Sequence, residues 1–265
     1  MKIYELKYSN TNTYLIENEK YRILFDTGWA GTFSMFCREL GELKIPIQSI
    51  DYIIISHFHP DHMGIAQEIA DYGAKIIAVD VQMPYLHSSD AVFAKENKNK
   101  FIPIKDENIV KVKVSDSRCF FKTLKINGEL IHTPGHSEDS ISLSLDSGDL
   151  FVGDLNPLYE LELFKGTQIG ESWKKLLELK PKVVHYGHAK TATLDDNSSK
   201  TFENRDLFNL VSKIMKYIDK GYHLSGIQEK TKADAGFIED VTRMYLTHKD
   251  VGVQGILDRI EIKGK

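Results

Sequence analysis

The chain has 265 residues, of which 42% are hydrophobic, and a net charge of −4 at pH 7. This length suits one large globular domain, or one domain with an appendage. The slightly acidic balance argues against a nucleic-acid partner, because such partners are usually bound by a basic face. No apolar run is long enough to cross a membrane, so we expect no membrane partner.

The cysteines and the first residues indicate the cell compartment. Cys37 and Cys119 are 82 positions apart and belong to no CxxC pair. This arrangement argues against a disulfide framework and suits a reducing compartment. The first residues also lack the basic and apolar regions of a signal peptide. We therefore predict a cytoplasmic protein and leave its oligomeric state open.

The first part of the chain alternates between short strands and helices. Short apolar runs between polar turns predict strands, and apolar residues at helical spacing predict helices. The run before residue 57 is rich in β-branched residues, which predicts a buried strand. The predicted strands cover 2–8, 12–17, 21–25, 51–56 and 75–79, and the predicted helices cover 31–43 and 63–72. Strand, helix and strand in this order are typical of α/β units.

The second part of the chain adds further strands and ends in helices. A helix is predicted from 82 to about 94, and another over 171–180 ends at Pro181. Strands are predicted over 109–114, 120–132 with a turn at Asn127-Gly128, 141–145, 150–152 and 183–184. Helices then dominate, at about 202–219, 225–232 and 235–247. We therefore predict two units, a first domain over 1–195 and a C-terminal helical region over 196–265.

Residues 57–62, His-Phe-His-Pro-Asp-His, form the densest group of potential metal ligands. They directly follow the predicted strand 51–56. Imidazole and carboxylate groups suit zinc, iron and manganese. His57 and His59 would point to the same side of an extended segment, whereas Asp61 and His62 follow at a turn. The stretch can therefore contribute to two adjacent metals.

Three further places can supply ligands, and each lies at the end of a predicted strand. His136 ends the Thr-Pro-Gly-His turn at 133–136, Asp154 follows an apolar strand, and His188 ends the His-Tyr-Gly-His run at 185–188. Loops at strand ends often carry functional groups on a rigid scaffold. We expect the remaining histidines, including His132 and His185, to be structural.

Taken in order, these residues resemble the metallo-β-lactamase superfamily over about residues 1–190. The matching pieces are His57-x-His59-x-Asp61-His62, Thr133-Pro134-Gly135-His136-Ser137, Gly153-Asp154 and Tyr186-Gly187-His188, with Asp26-Thr27-Gly28 upstream. The resemblance implies an α+β fold, an αββα four-layer sandwich followed by a C-terminal helical appendage. Residues 1–195 would then be the catalytic domain.

The resemblance also implies a site for two divalent metal ions. Zinc is the expected metal, and iron or manganese are the alternatives. The first metal would be held by His57, His59 and His136, the second by Asp61, His62 and His188, and Asp154 would bridge them. Asp61 would also be catalytic, because it would orient the nucleophile and handle a proton. Asp26 would accept a hydrogen bond from a ligand histidine; the alternative is a turn residue before Gly28.

The expected ligand set is most similar to that of the glyoxalase II group. It implies a hydrolase in which a hydroxide bridging two metals attacks a small acyl substrate, namely a thioester, lactone or other ester. One alternative is a phosphodiesterase, whose basic rim would have to come from residues 95–105. Another alternative is a mononuclear-iron persulfide dioxygenase, for which Asp61, His62 and His188 would be surplus. A small-molecule substrate is expected in each case.

Overall fold

The computed structural model describes residues 1–8, 10–96, 101–194, 205–247 and 251–263. Within these ranges the strands are β1 Lys2–Leu6, β2 Thr13–Glu17, β3 Arg22–Phe25, β4 Tyr52–Ile54, β5 Lys75–Val79, β6 Ile109–Val112, β7 Gly128–His132, β8 Ile141–Leu145, β9 Asp149–Phe151, β10 Val183–His185 and β11 Ala192–Thr193. The α-helices are α1 Phe33–Glu42, α2 Pro60–Met63, α3 Ala66–Ala70, α4 Asp90–Glu96, α5 Ser117–Thr123, α6 Gln168–Leu177, α7 Arg205–Asp219, α8 Leu224–Thr231, α9 Ala235–Thr247 and α10 Val253–Lys263.

The strands form two mixed sheets. The first has the order β1-β2-β3-β4-β5-β6, with β3 to β6 parallel. The second has the order β11-β10-β9-β8-β7, with β9 and β10 parallel. Because β7 and β9 are both antiparallel to β8, β7 runs in the same direction as β9 and β10. The segments that carry the candidate residues therefore leave the carboxyl ends of strands in both sheets.

Alternating side chains of the strands build three layers of contact. Ile23 of β3 lies in the core between the sheets with Phe151 of β9. Its neighbour Leu24 points to the opposite face and packs with Phe36 of α1. The outer face of the second sheet packs with Trp173 of α6, which is fully buried. The order helix, sheet, sheet, helix confirms the predicted four-layer α+β sandwich.

The prediction of strands on both sides of a turn at Asn127-Gly128, over residues 120–132, was wrong for its first half, whereas its second half is β7. Residues 117–123 form α5, and Asn127-Gly128 leads into β7 and does not make a hairpin turn. Phe121 and Leu124 are buried at helical spacing against the core between the sheets. An apolar run this short is compatible with either structure, and tertiary packing selects the helix.

Two predicted helices are also interrupted. The helix expected over 63–72 is divided into α2 and α3 next to Gly64, where an added Cβ would lie only 2.1 Å from the backbone nitrogen of Ala30. The glycine thus allows this turn to approach the segment after β3. The helix expected from residue 82 begins as a 3-10 helix, Asp80–Tyr85, and continues separately as α4.

The helices α7 to α10 share a hydrophobic cluster of their own. It includes Val211 of α7, Val241 of α9 and Ile256 of α10. Directly before α10, the backbone N–H of Gly252 donates to Glu160 Oε1 at 2.8 Å. This bond connects the helices to the 3-10 helix Leu158–Phe164, which contains Glu160 and follows Asp154. The expected boundary at 195/196 lies outside the described residues, so the division into two units stays a prediction.

None of the helices within the described ranges combines the length and the apolar character that crossing a membrane requires.

Candidate metal centre

Three histidines form the first donor group, and they come from both sheets. His57 and His59 follow β4, whereas His136 follows β7. His59 Nδ1 lies 3.0 Å from His57 Nε2 and 3.1 Å from His136 Nε2. Nitrogen ligands of one tetrahedral ion, at bond lengths of about 2.0–2.1 Å, lie about 3.3 Å from each other. The spacing therefore suits three ligands of a single ion.

The second donor group consists of Asp61, His62, Asp154 and His188, whose ligand atoms lie within 4.8 Å of one another. His188 Nε2 lies 2.9 Å from Asp61 Oδ2. His62 Nε2 lies 3.1 Å from Asp154 Oδ1. Two carboxylates and two imidazoles thus converge from three separate loops. This mixture of nitrogen and oxygen donors suits zinc, iron or manganese.

Asp154 belongs to the second group but also reaches the first. One of its oxygens faces the histidines of the second group, and the other faces His136 of the first. Its Oδ1 is 3.1 Å from His62 Nε2 and 3.4 Å from His188 Nε2. Its Oδ2 is 3.4 Å from His136 Nε2. A Cβ at Gly187 would lie 2.8 Å from Asp154 Oδ1, so the backbone packs directly against this carboxylate. One carboxylate is therefore shared by both groups.

Two buried polar atoms test whether the second group fits a cation. His62 Nε2 and Asp154 Oδ1 make no hydrogen bond to any described residue, although they lie 3.1 Å apart. A buried polar atom without a partner costs about 1–3 kcal/mol. A divalent cation between them would satisfy both atoms, so the donor set fits the ions that the resemblance implies.

Asp26 orients the histidines that follow β4. Its Oδ2 accepts hydrogen bonds from His62 Nδ1 at 2.8 Å and from Ser56 Oγ at 2.9 Å, and its Oδ1 accepts the Ser56 N–H at 2.7 Å. Ser56 Oγ is also 3.0 Å from His57 Nδ1. Since Nδ1 of each histidine is engaged in this way, Nε2 turns toward the cluster. The sequence predicted a hydrogen bond from a ligand histidine to Asp26, and the histidine that makes it is the candidate ligand His62. Asp26 itself has a backbone φ of 62°.

The segment before β2 holds His188. His188 Nδ1 donates to the carbonyl oxygen of Asn10 at 2.8 Å. The Asn12 amide donates to the carbonyl oxygens of Tyr186 at 3.0 Å and Ala189 at 2.9 Å. Sequence analysis did not identify Asn12, because its partners lie more than 170 positions away and no local pattern marks them.

Burial and neighbouring charges together set the pKa values of the clustered groups. Burial lowers the pKa of His57 well below its usual value, and the neighbouring His62 adds to this effect. Burial acts in the same direction on His62, but the surrounding carboxylates, Asp154 first, outweigh it and raise the pKa of His62 well above its usual value. Burial would raise the pKa of Asp61, but the neighbouring histidines lower it to about 2. Without metal, protonated imidazole compensates the carboxylates; a bound cation would take over that role, and protons would be released.

The other histidines in the described ranges belong to neither donor group. His185 Nε2 bonds to Asp149 Oδ1 at 3.0 Å, and its ring stacks on Phe151. His132 Nε2 donates to the carbonyl oxygen of Glu138 at 2.8 Å. These contacts give both side chains structural roles, in agreement with the expectation from the sequence. His248 lies outside the described residues.

Comparison with known proteins gives one family and one fold. The family model of the metallo-beta-lactamase superfamily matches residues 7–188. A metallo-beta-lactamase family protein from Thermus thermophilus superposes with a TM-score of 0.52 at 16% identity. The superposition covers 98% of this chain and 92% of that chain. At this identity the likeness shows the shared fold alone.

Two relatives of known sequence extend the comparison. The Beta-lactamase-like protein 2 homolog of Drosophila melanogaster is 31% identical over 186 residues. That match covers 67% of this chain but 58% of the fly protein, so the chain spans little more than half of that relative. The atrochrysone carboxyl ACP thioesterase of Claviceps purpurea is 26% identical over 153 residues, covering 56% of this chain and 40% of that protein.

Proposed function

The chain belongs to the metallo-beta-lactamase superfamily, and from this premise we propose that it is a metal-dependent hydrolase with two divalent cations. The observation that supports two cations is the position of Asp154, which presents one oxygen to each donor group. Zinc is the first candidate, and iron and manganese accept the same donors. His57, His59 and His136 would hold one cation, and Asp61, His62 and His188 would hold the other.

The reaction we propose is hydrolysis of a small acyl substrate. Two cations in such a site lower the pKa of a water molecule and polarise the oxygen of a substrate carbonyl. The water oxygen forms a bond to the acyl carbon, and the carbon–sulfur or carbon–oxygen bond breaks. The leaving thiol or alcohol takes up a proton, and the other product is a carboxylic acid.

Asp61 is the residue we propose as catalytic. Its side chain is 20% exposed, whereas that of Asp154 is 9% exposed, so Asp61 is the more accessible carboxylate. Its pKa of about 2 keeps it ionised at neutral pH. An ionised carboxylate can accept a hydrogen bond from the attacking water and orient it.

Among the acyl substrates, the thioester has the support of one relative, which is named a thioesterase. The phosphodiesterase alternative would need a basic rim from residues 95–105. Lys105 is bound to Asp71 at 2.8 Å, so its charge is already paired, and residues 97–100 lie outside the described ranges. The persulfide dioxygenase alternative needs one iron and would leave Asp61, His62 and His188 without a role.

Metal analysis and a substrate panel test this function together. Protein loaded with zinc, manganese or iron would be assayed with a thioester, a lactone and bis-nitrophenyl phosphate. We expect close to two metal equivalents and turnover of the thioester or the lactone. One iron per chain, with oxygen uptake on a persulfide and no hydrolysis, would overturn the proposal.

A further inference from the structure

The first donor group depends on two loops that belong to different sheets. His57 and His59 follow β4 of the first sheet, and His136 follows β7 of the second. Their ring nitrogens nevertheless lie about as far apart as hydrogen-bonded atoms, at 3.0 and 3.1 Å. The two loops must therefore be held in register by contacts between them.

Asp139 provides such a contact. Its Oδ2 accepts the backbone N–H of Phe58 at 2.7 Å, and the residue is only 3% exposed. Phe58 is the residue between His57 and His59, so this bond acts on the peptide unit that connects the two histidines. A carboxylate that accepts a backbone N–H away from water makes a short and strong hydrogen bond.

The same peptide segment is held at two further points. Ser89 Oγ donates to the carbonyl oxygen of Phe58 at 2.5 Å. The backbone N–H of Ile141 donates to the carbonyl oxygen of Ser56 at 2.8 Å. The Phe58 side chain is also buried. Both polar groups of the Phe58 backbone are therefore bonded, and it is Asp139 that connects its N–H to the His136 loop.

The loop that carries Asp139 also carries His136, and it is closed by internal bonds. The backbone N–H of Thr133 donates to the carbonyl oxygen of Ser140 at 2.9 Å. The hydroxyl groups of Ser137 and Ser140 lie 2.7 Å apart. Because these bonds bracket both residues, the position of Asp139 is tied to that of His136.

We propose that Asp139 is a positioning residue for the three-histidine group. Its carboxylate fixes the Phe58 peptide against the His136 loop and so sets the spacing of His57, His59 and His136. The role rests on the proposed function, since it assumes that this group holds a cation. Loss of the carboxylate should lower the cation affinity of the three-histidine group and leave the affinity of the second group close to its original value.

Three variants of the full chain test this role. Asp139→Ala removes the acceptor, and Asp139→Asn keeps an acceptor oxygen without the charge. Asp51→Ala is the matched control, because Asp51 Oδ2 accepts the backbone N–H of Arg22 at 2.8 Å at the opposite end of β4. The readouts are zinc titration and amide hydrogen exchange of the segment 56–60 in the metal-free protein.

For Asp139→Ala we expect one zinc equivalent to bind about 10–100-fold more weakly, as is typical when a residue that supports ligands is lost. The exchange of the 56–60 segment should accelerate, Asp139→Asn should lie between Asp139→Ala and the original protein, and Asp51→Ala should match the original. If Asp139→Ala does not fold, Asp139→Asn must still show a loss confined to one equivalent.

Two equivalents with unchanged affinity in the Asp139 variants would overturn the positioning role and leave the proposed function intact. Fewer than two equivalents in the original protein would instead contradict the two-cation proposal. In that case unchanged exchange at 56–60 in the Asp139 variants would show separately that the carboxylate does not fix the Phe58 peptide.

Discussion

The two donor groups differ in charge, burial and support. The first consists of three imidazoles, and of these His57 is buried whereas His59 and His136 are more accessible. The second contains two carboxylates and two buried imidazoles, and it is held by Asp26. Hard cations favour oxygen donors, whereas imidazole suits zinc. We therefore expect the second group to be more tolerant of manganese and iron. The cation affinity of the first group should depend more on the contacts that hold its two loops together.

Substitution of Asp154, the carboxylate shared by both groups, should have the largest effect on activity and on metal binding. Asp154→Ala removes an oxygen donor from both groups, so we expect turnover to fall below detection and both zinc equivalents to bind more than about 100-fold more weakly. Metal content after dialysis and turnover of the best substrate are the measurements. Asp149→Ala is the matched control, because Asp149 begins β9, the strand that precedes Asp154, and this variant should keep both equivalents. Full activity of Asp154→Ala would disprove the bridging role.

Removing one ligand from each group would show whether the groups are independent. His136→Ala should lose the cation of the first group, and His188→Ala should lose that of the second, so each variant retains about one equivalent. Cobalt-substituted protein would distinguish them, because three nitrogen donors and a mixed donor set give different visible spectra. If both variants lost both ions, the groups would form one cooperative unit and the comparison would fail.

Removal of Asn12, which supports the His188 loop, should have a smaller effect on stability and zinc binding. Asn12→Ala leaves the carbonyl oxygen of Ala189 without its amide donor, whereas that of Tyr186 keeps the hydroxyl group of Tyr14 as a donor at 2.9 Å. We expect the free energy of unfolding to fall by about 1–3 kcal/mol, the usual cost of an unpaired buried group. Zinc affinity should fall in the second group only. Asn18→Ala, which loses a bond to the carbonyl oxygen of Leu124, is a control remote from both groups.

The smallest effect is expected from substitution of His185, which lies three positions before His188 and should change only the pH dependence of stability. Burial lowers its pKa, although the hydrogen bond to Asp149 opposes this change. The folded protein therefore takes up a proton at this ring less readily than the unfolded chain, whose histidine pKa is about 6.5. This contribution to stability is present above that pH and is lost as the pH falls below it. Thermal unfolding of metal-free His185→Gln between pH 8 and 5 should show a flatter decline than the original protein, with unchanged zinc binding at pH 8.

The candidate donors could be identified from the sequence because they follow strands in short local patterns. The stretch 57–62 stands out on its own, whereas the loops of His136, Asp154 and His188 are identified by their order in the family pattern. The αββα order was expected from the resemblance, and the alternation of Ile23 and Leu24 between two cores shows its physical basis.

The supporting residues could not be identified in this way. Asn12 and Asp139 act on backbone groups that are distant in the sequence, by 174 and 81 positions respectively. Neither residue type is unusual in a loop, so only the folded chain reveals the contact. The helix α5 was missed for a related reason, because the packing of Phe121 between the sheets outweighs a local pattern that also suits a strand.

The backbone of Asp26 restricts which residues can occupy that position. Its φ of 62° lies in the left-handed region, where glycine, asparagine and aspartate are the residues that fit with little strain. Glycine would fit the backbone conformation but could not accept the hydrogen bonds from Ser56 and His62. Glutamate would supply a carboxylate, but its backbone would be strained at this φ. Aspartate meets both demands, and asparagine meets them in part. In a saturation library this position should therefore admit almost no other residue, even though its side chain lies behind the donors and not among them.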